Sequence, residues 1–304
     1  MKIRLLLSTG LIVAAFQCPA VVITPNYSFS NIYQDASGVL YGTSGAGRTD
    51  VTATFKYDFG VASTMWMNAI LCDWNLSVTI QLANLGLNTV ADAAINTFDV
   101  NGRSATGTIR FNTNAAFSYF LDASPTSNTE FSMQTSTMSL GGGNVNNRRL
   151  GDATASAATN RWDMLTLSLH ELEHTLGISS GSARFLNLVG PTGAETDPLR
   201  MMTISNSLSG LASDFQIPFV PDSAHIAGSG ANSNFNYTVV ADPGWQKAQR
   251  ALPTALDIYA VAQVNNCDMF NLNPAQVPEP TTAALALGGL VCLIISRRRH
   301  YLAD

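Results

Sequence analysis

Four positions in this chain of 304 residues could do chemistry together. His170, Glu171 and His174 stand in the run His-Glu-Leu-Glu-His. Histidines four apart share one face of a helix, where both rings can bind one zinc ion. Glu171 follows His170 and stays near that face, so it is placed to take the proton of a zinc-activated water rather than to bind the metal itself. The remaining histidines are His225 and His300. His300 lies in a C-terminal stretch expected to be removed, which leaves three histidines for the domain. Three protein ligands and one open position is the usual layout of a catalytic zinc site, so His225 is the first candidate for third ligand. Its rival is Glu195, 21 residues past His174. A glutamate ligand at such a distance needs a helix of its own, and Gly190-Pro191-Thr192-Gly193 before it and Pro198 after it argue against one.

The element that must carry these groups spans residues 160–177. Asn160, with Asp163 three residues on, is the expected N-cap, and Gly177 stands where a C-cap belongs. Leu165, Leu169, Leu172 and Leu176 recur at spacings of four, three and four, forming one apolar face beside the histidines. A bare run of this kind also arises as a polar turn on a surface helix. Here apolar neighbours bury the helix, and two histidines and a glutamate on a half-buried helix need partners.

Around that helix, the alternation of Val51, Ala53, Phe55 and Tyr57 predicts a strand over residues 50–58. Met65, Trp66, Ala69, Ile70 and Trp74 predict a helix over 60–74 that serves the core, and Leu76, Val78, Ile80 and Leu82 a strand over 75–82. Such a β-α-β start implies parallel neighbours. A further strand is expected over 105–112. Residues 125–151, with Gly141-Gly142-Gly143, read as a long surface loop. Residues 199–230 show no clear strand, and 252–264 predict a last helix packed under the site. The fold class is α+β.

The two ends read as address rather than fold. Residues 1–20 have a basic start (Lys2, Arg4), an apolar run and small residues at Cys18 and Ala20, the pattern of a secretory signal cleaved after Ala20. Residues 21–48 form an extended lead-in, 49–264 the catalytic domain, 265–276 a linker and 277–304 a sorting signal. The apolar run 281–295 is short for a bilayer span of about 20 residues, and Arg297-Arg298-Arg299 would hold it at the cytoplasmic side. Net charge is −5, and five basic residues (Lys2, Arg4, Arg297, Arg298, Arg299) lie in the two ends, so the remainder is more acidic still. Such a domain is a poor partner for nucleic acid. Cys18 and Cys292 also fall in the ends, leaving Cys72 and Cys267 as either one disulfide between distant segments or two buried thiols.

The order Val277-Pro278-Glu279-Pro280, short apolar run and three arginines resembles the PEP-CTERM sorting signal. That resemblance implies a Gram-negative bacterium, transient membrane association through the C-terminal helix, processing by an exosortase-type enzyme, and a product at the cell surface or in the extracellular matrix. A permanently held, periplasmic domain is the alternative. The run from His170 to Gly177 followed by Ile178-Ser179-Ser180-Gly181 resembles zinc metalloproteases of metzincin type, in the leishmanolysin-like form. This implies a mixed twisted sheet with an active-site helix and a smaller irregular C-terminal subdomain, one Zn2+, and a peptide or protein substrate. Three departures stand out. Ser180 occupies the place of the third histidine in the short metzincin pattern, whereas the leishmanolysin-like variant has it far downstream, as His225 is. The turn expected beneath the zinc, residues 239–244, has no methionine. Glu173 stands where relatives often have glycine, and is expected either in solvent or beside a ligand. Residues 105–112 are expected to line the cleft, as the edge strand does in the resembling family. The rival use of Glu195 is the gluzincin arrangement.

The expected function is therefore a secreted zinc endopeptidase with Glu171 as general base. The alternative is a non-catalytic surface or matrix protein with a vestigial or structural metal site, for which the Ser, Thr, Asn and Gly content is suited. If the tail is a sorting signal, the intact mass of the surface protein lacks residues 281–304; a mass that retains them favours the permanent anchor.

Overall fold

The computed structural model describes residues 20–139, 144–194, 198–221, 223–227, 239–241 and 246–274. The expected leader, apart from Ala20, and the expected sorting signal lie outside them, as do Glu195 and the run Gly141-Gly142-Gly143. No helix among the described residues is long and apolar enough to cross a membrane.

The elements in order are β1 (Val21–Tyr27), β2 (Tyr33–Asp35), β3 (Leu40–Tyr41), β4 (Arg48–Asp50), α1 (Thr52–Ala69), β5 (Trp74–Ala83), β6 (Ala91–Phe98), β7 (Ser104–Asn112), β8 (Tyr119–Phe120), β9 (Phe131–Ser139) and β10 (Asn144–Ala153). They continue with β11 (Trp162–Asp163), α2 (Met164–Thr175), α3 (Ala183–Val189), β12 (Arg200–Ile204), α4 (Asn206–Ser209), β13 (Phe215–Phe219), β14 (Gln249–Ala251) and α5 (Ala255–Asn265). The result is an α+β fold whose largest sheet is mixed, in the order β1-β5-β7-β6. β1, β5 and β7 run parallel, and β6 closes one edge antiparallel to β7.

A β-α-β unit does open the fold, but from other residues than the alternation suggests. Residues 50–58 are not a strand: α1 begins at Thr52. Phe55, Phe59, Ala62, Trp66 and Ala69 are all fully buried and recur at helical spacing, so the 3.6-residue stripe runs unbroken through the segment that also alternates. The first strand of the unit is β1, which lies in the stretch 21–48 read as a lead-in. It pairs with β5 from Val21↔Trp74 to Tyr27↔Ile80. Val21, Ile23, Ile32 and Leu40 are buried, which ties this stretch to the core. On β5 the alternation reads true: Trp74, Leu76, Val78 and Ile80 are buried and the residues between them are not.

Two hairpin-like pairs replace expected loops. β9 and β10 pair antiparallel within 125–151, and β14 joins β10 on its other side. β12 and β13 pair antiparallel within 199–230. β9 and β10 lack clean alternation because they are rich in Ser, Thr and Asn and only a few of their residues are buried, whereas β12 buries every second residue over only five positions.

α2 lies on the sheet and against α1. At Gly107 of β7 a Cβ would stand 2.8 Å from Thr175 Cγ2, so the missing side chain lets helix and sheet approach. The Trp66 indole of α1 donates to the Leu169 carbonyl of α2 at 3.0 Å. Cys72 and Cys267 form a disulfide with Cα atoms 5.8 Å apart. It fastens the end of α1 to the end of α5, beside a backbone bond from Leu71 N–H to the Met269 carbonyl at 3.0 Å and the Ile70↔Phe270 bridge. The first part of the stretch read as a linker is thus held on the domain.

That disulfide closes a loop of 195 residues. Replacing both cysteines, Cys72→Ser with Cys267→Ser, is expected to lower stability by about 5 kcal/mol on the chain-entropy account. Urea unfolding of the double variant checks this, and a loss under about 1 kcal/mol would contradict it.

Candidate metal centre

α2 starts at Asp163, not at Asn160. Asn160 has φ 59° and sits outside the helix, whereas the Asp163 carboxylate accepts from Thr166 N–H at 3.0 Å and from Thr166 Oγ1 at 2.7 Å. The cap is itself held. Buried Arg250 of β14 donates to Asp163 Oδ2 at 3.1 Å and Oδ1 at 2.8 Å, to Asp122 at 2.8 Å and to the Ser127 carbonyl at 3.0 Å. At the other end, Gly177 follows the helix with φ +119°, and a Cβ there would meet Val264 of α5 at 2.9 Å. The last turn thereby runs close over α5.

His170 and His174 leave the same face of α2, and His225 reaches them from the turn after β13. The three Nε2 atoms form a triangle with sides of 3.2, 3.3 and 3.3 Å. Tetrahedral zinc with Zn–N bonds of about 2.0–2.1 Å needs ligand nitrogens roughly 3.3–3.4 Å apart. Each Nδ1 has its own partner: His170 the Val240 carbonyl at 2.7 Å, His174 the Ile178 carbonyl at 2.6 Å, and His225 the Ser223 hydroxyl at 2.9 Å. A carbonyl can only accept, so His170 and His174 carry their proton on Nδ1 and leave Nε2 bare.

Electrostatics agrees with neutral rings. Burial, followed by the neighbouring His174, takes His170 down to about 3. Burial also lowers His174, and burial with the other two imidazoles holds His225 well below the usual range. The bare lone pairs of His170 and His174 cannot bond to each other, and the Ser223 hydroxyl can accept from His225 Nδ1 to give the same tautomer there; a cation between the three rings then satisfies all of them. The donor set therefore fits zinc.

His225 is placed by a segment in which no strand was expected. Val220 N–H bonds the His225 carbonyl at 2.9 Å, and Ala227 N–H bonds the Pro218 carbonyl at 2.8 Å. Arg200, the first residue of β12, donates to the Val220, Gly190 and Ser223 carbonyls and so pins the turn. Sequence reasoning missed both Arg200 and Arg250. Each lies near other polar and charged residues, Glu195 and Asp197 before Arg200 and Lys247 before Arg250, so nothing local marks it.

Glu171 is 3% exposed and lines the two pockets that meet at the histidines, of about 240 and 270 Å3. Burial, then the charge of Asp92, pushes its carboxyl up to about 8; a dication beside it would pull the group back towards the ionised form. Glu173 is fully buried rather than in solvent. Its carboxyl is raised well above the usual range by burial and by Asp257. The strand along the cleft is β6, not residues 105–112. β7 is interior to the sheet, paired on both sides, while β6 is the edge, and Ala91, Asp92 and Ala93 border the site. Alternation fails on β6 because most of its residues are partly or fully exposed.

Comparison with protein-family models and with curated proteins finds no match.

His225→Ala is expected to weaken zinc binding by more than the roughly 10–100-fold that loss of an outer partner costs. Glu195→Ala is expected to leave it unchanged. Chelator-competition titrations of both variants check this, and the reverse order would make Glu195 the ligand.

Proposed function

We propose that this chain is a zinc endopeptidase with a metzincin-like fold, hydrolysing peptide bonds of a peptide or protein substrate. The observation that carries the reading is the triangle of three converging Nε2 atoms with Glu171 in the same cleft. His170, His174 and His225 would hold one Zn2+. When bound, the ion supplies a Lewis acid for the scissile carbonyl and lowers the pKa of a water to about 7.

The rest of the chemistry is the chain's own. Glu171, seated in a largely apolar wall with Leu167, Val90 and Trp162 nearby, accepts the proton of the attacking water and passes it to the leaving amine. Its burial favours the protonated state in the second half of this cycle and so helps the return of the proton. Among the described residues no strand pairs with the outer edge of β6, beside Asp92 and Ala93. An extended substrate can pair with that edge and lie across the histidines. Beside Glu171, the pocket bordered by Val90, Trp162 and Leu167 suits an apolar side chain next to the scissile bond. On the other side, Ser179, Ser180 and Ser223 offer hydroxyls.

In this reading the leader and the sorting signal bring the enzyme to the surface of a Gram-negative cell, with an exosortase-type enzyme removing the tail. A matrix protein with a purely structural metal needs no base, whereas Glu171 is buried at the expense of its charge and opens onto both pockets.

Glu171→Gln is expected to retain zinc at wild-type affinity and to lose about 10²–10⁴-fold or more in casein hydrolysis. Zinc content and hydrolysis measured on the same purified sample check both halves. Equal activity in the variant, or no chelator-sensitive hydrolysis in the wild type, contradicts the proposal.

A further inference from the structure

α5 begins beneath α2 with a capping box, in which the Asp257 carboxylate accepts from Thr254 N–H at 2.7 Å and from Thr254 Oγ1 at 2.8 Å through Oδ2. A cap needs one carboxylate oxygen. The other, Oδ1, accepts from Ala241 N–H at 3.2 Å, and Val240 N–H also bonds this carboxylate. Asp257 is fully buried, so these bonds are made out of water, where they hold geometry best.

The turn it grips serves the metal centre twice. Val240 C=O accepts from His170 Nδ1 at 2.7 Å. Ala241 C=O accepts from Ile226 N–H, next to His225, at 3.1 Å. Val240 C=O and Ala241 N–H belong to one rigid trans peptide and point in opposite directions. Fixing the N–H on Asp257 therefore aims the C=O at His170.

We propose that Asp257 is a positioning residue for the metal centre: by holding the Val240–Ala241 peptide it aims the Val240 carbonyl at His170 Nδ1 and keeps His170 in the tautomer whose Nε2 is bare. The proposal rests on the three-histidine reading of the site. It is distinct from a capping role, which Thr254 shares and the turn does not. Glu173 also lies against Asp257 and stays unaltered in the test.

The full chain is compared as wild type, Asp257→Ala, Asp257→Asn and Thr254→Ala. Two readouts are taken: the His170 tautomer in the zinc-free protein, from imidazole nitrogen NMR shifts, and zinc affinity with the visible spectrum of the Co2+ form. Thr254→Ala is expected to lower Tm while leaving the Nδ1–H tautomer, the Co2+ spectrum and the affinity within about twofold of wild type. Asp257→Ala is expected to populate the Nε2–H tautomer, alter the Co2+ spectrum and weaken zinc binding about 10–100-fold, the usual cost of a lost outer partner. Asp257→Asn, which keeps the shape but has a single strong acceptor, shifts the same readouts part of the way, and it decides the matter should the alanine variant not fold. Asp257 variants with wild-type tautomer and affinity overturn the proposal, as does Thr254→Ala shifting them equally. A wild type that binds no zinc overturns the metal-centre reading and this inference with it; a wild type that binds zinc while the Asp257 variants are unchanged overturns this inference alone.

Discussion

On a helix buried on nearly every side polar groups need partners, and α2 carries many. Eleven of its twelve residues are buried, among them His170, Glu171, Glu173, Thr166 and Thr175. An unpartnered buried polar group costs a few kcal/mol, so the rest of the chain is arranged to meet them. Partners arrive from far away in sequence: Arg250 to the Asp163 cap, Ala251 N–H to Thr166 Oγ1, Val240 to His170. Even the Leu169 carbonyl is used, by Trp66. Among the described residues the Glu173 carboxyl, the Ser168 hydroxyl and one oxygen of Glu171 have no hydrogen-bond partner. α1, β14, the 239–241 turn and α5 are positioned as much by these obligations as by apolar contact.

The kind of partner matters to the chemistry. The two helix histidines are backed by carbonyls, which fix a tautomer without adding charge. A carboxylate there would raise the basicity of the ring and draw in a proton. With neutral rings, the ionisable groups left on the cleft wall are Glu171 and Asp92, and burial disfavours the charged form of Glu171. A cation bound at the triangle reverses that balance. The site is thus arranged so that its acid-base group responds to the occupancy of the neighbouring ligands.

What could be read from sequence follows from how local each signal is. The helix of His170 and His174, the strands at 75–82 and 105–112, and the last helix have strong internal periodicity and are present. α1 was misplaced at its start because Val51, Ala53, Phe55 and Tyr57 alternate by coincidence while Phe55, Phe59 and Ala62 carry the true period. β6 is an edge of its sheet and buries too little to show a face, while β1 buries Val21 and Ile23 on one face only before Pro25 and Asn26 break the pattern. The β12–β13 pair is short, and its alternation is interrupted by Pro218 and by Arg200, whose charge is spent on carbonyls rather than on solvent. His225 was legible by elimination, because so few histidines exist, while the frame that presents it was not. Asp257 was hidden altogether: on α5 it looks like a first-turn acid, and only the fold brings Ala241 to its second oxygen.

The third histidine shows how a ligand can be remote in sequence and still be held in advance. Nothing that fixes His225 passes through the metal. Its carbonyl is bonded to Val220, the following residue to Ala241, the next to Pro218, and its ring to Ser223, while Arg200 gathers the carbonyls on either side of the turn. The turn is seated on β13, and Phe219 of that strand packs on Phe185 of α3 with ring centroids 5.0 Å apart. A ligand added by a long loop costs little more in closure entropy than one from a short loop, since the cost grows only with the logarithm of length. The larger cost is that of ordering the side chain, and the bonds around His225 contribute to that order. Small zinc domains fold only when metal arrives; here the three rings sit on elements that also share the hydrophobic core. The register of His170 with the other two rings then depends on the 239–241 turn, whose Val240 carbonyl accepts from His170 Nδ1 and whose Ala241 N–H donates to Asp257 of α5.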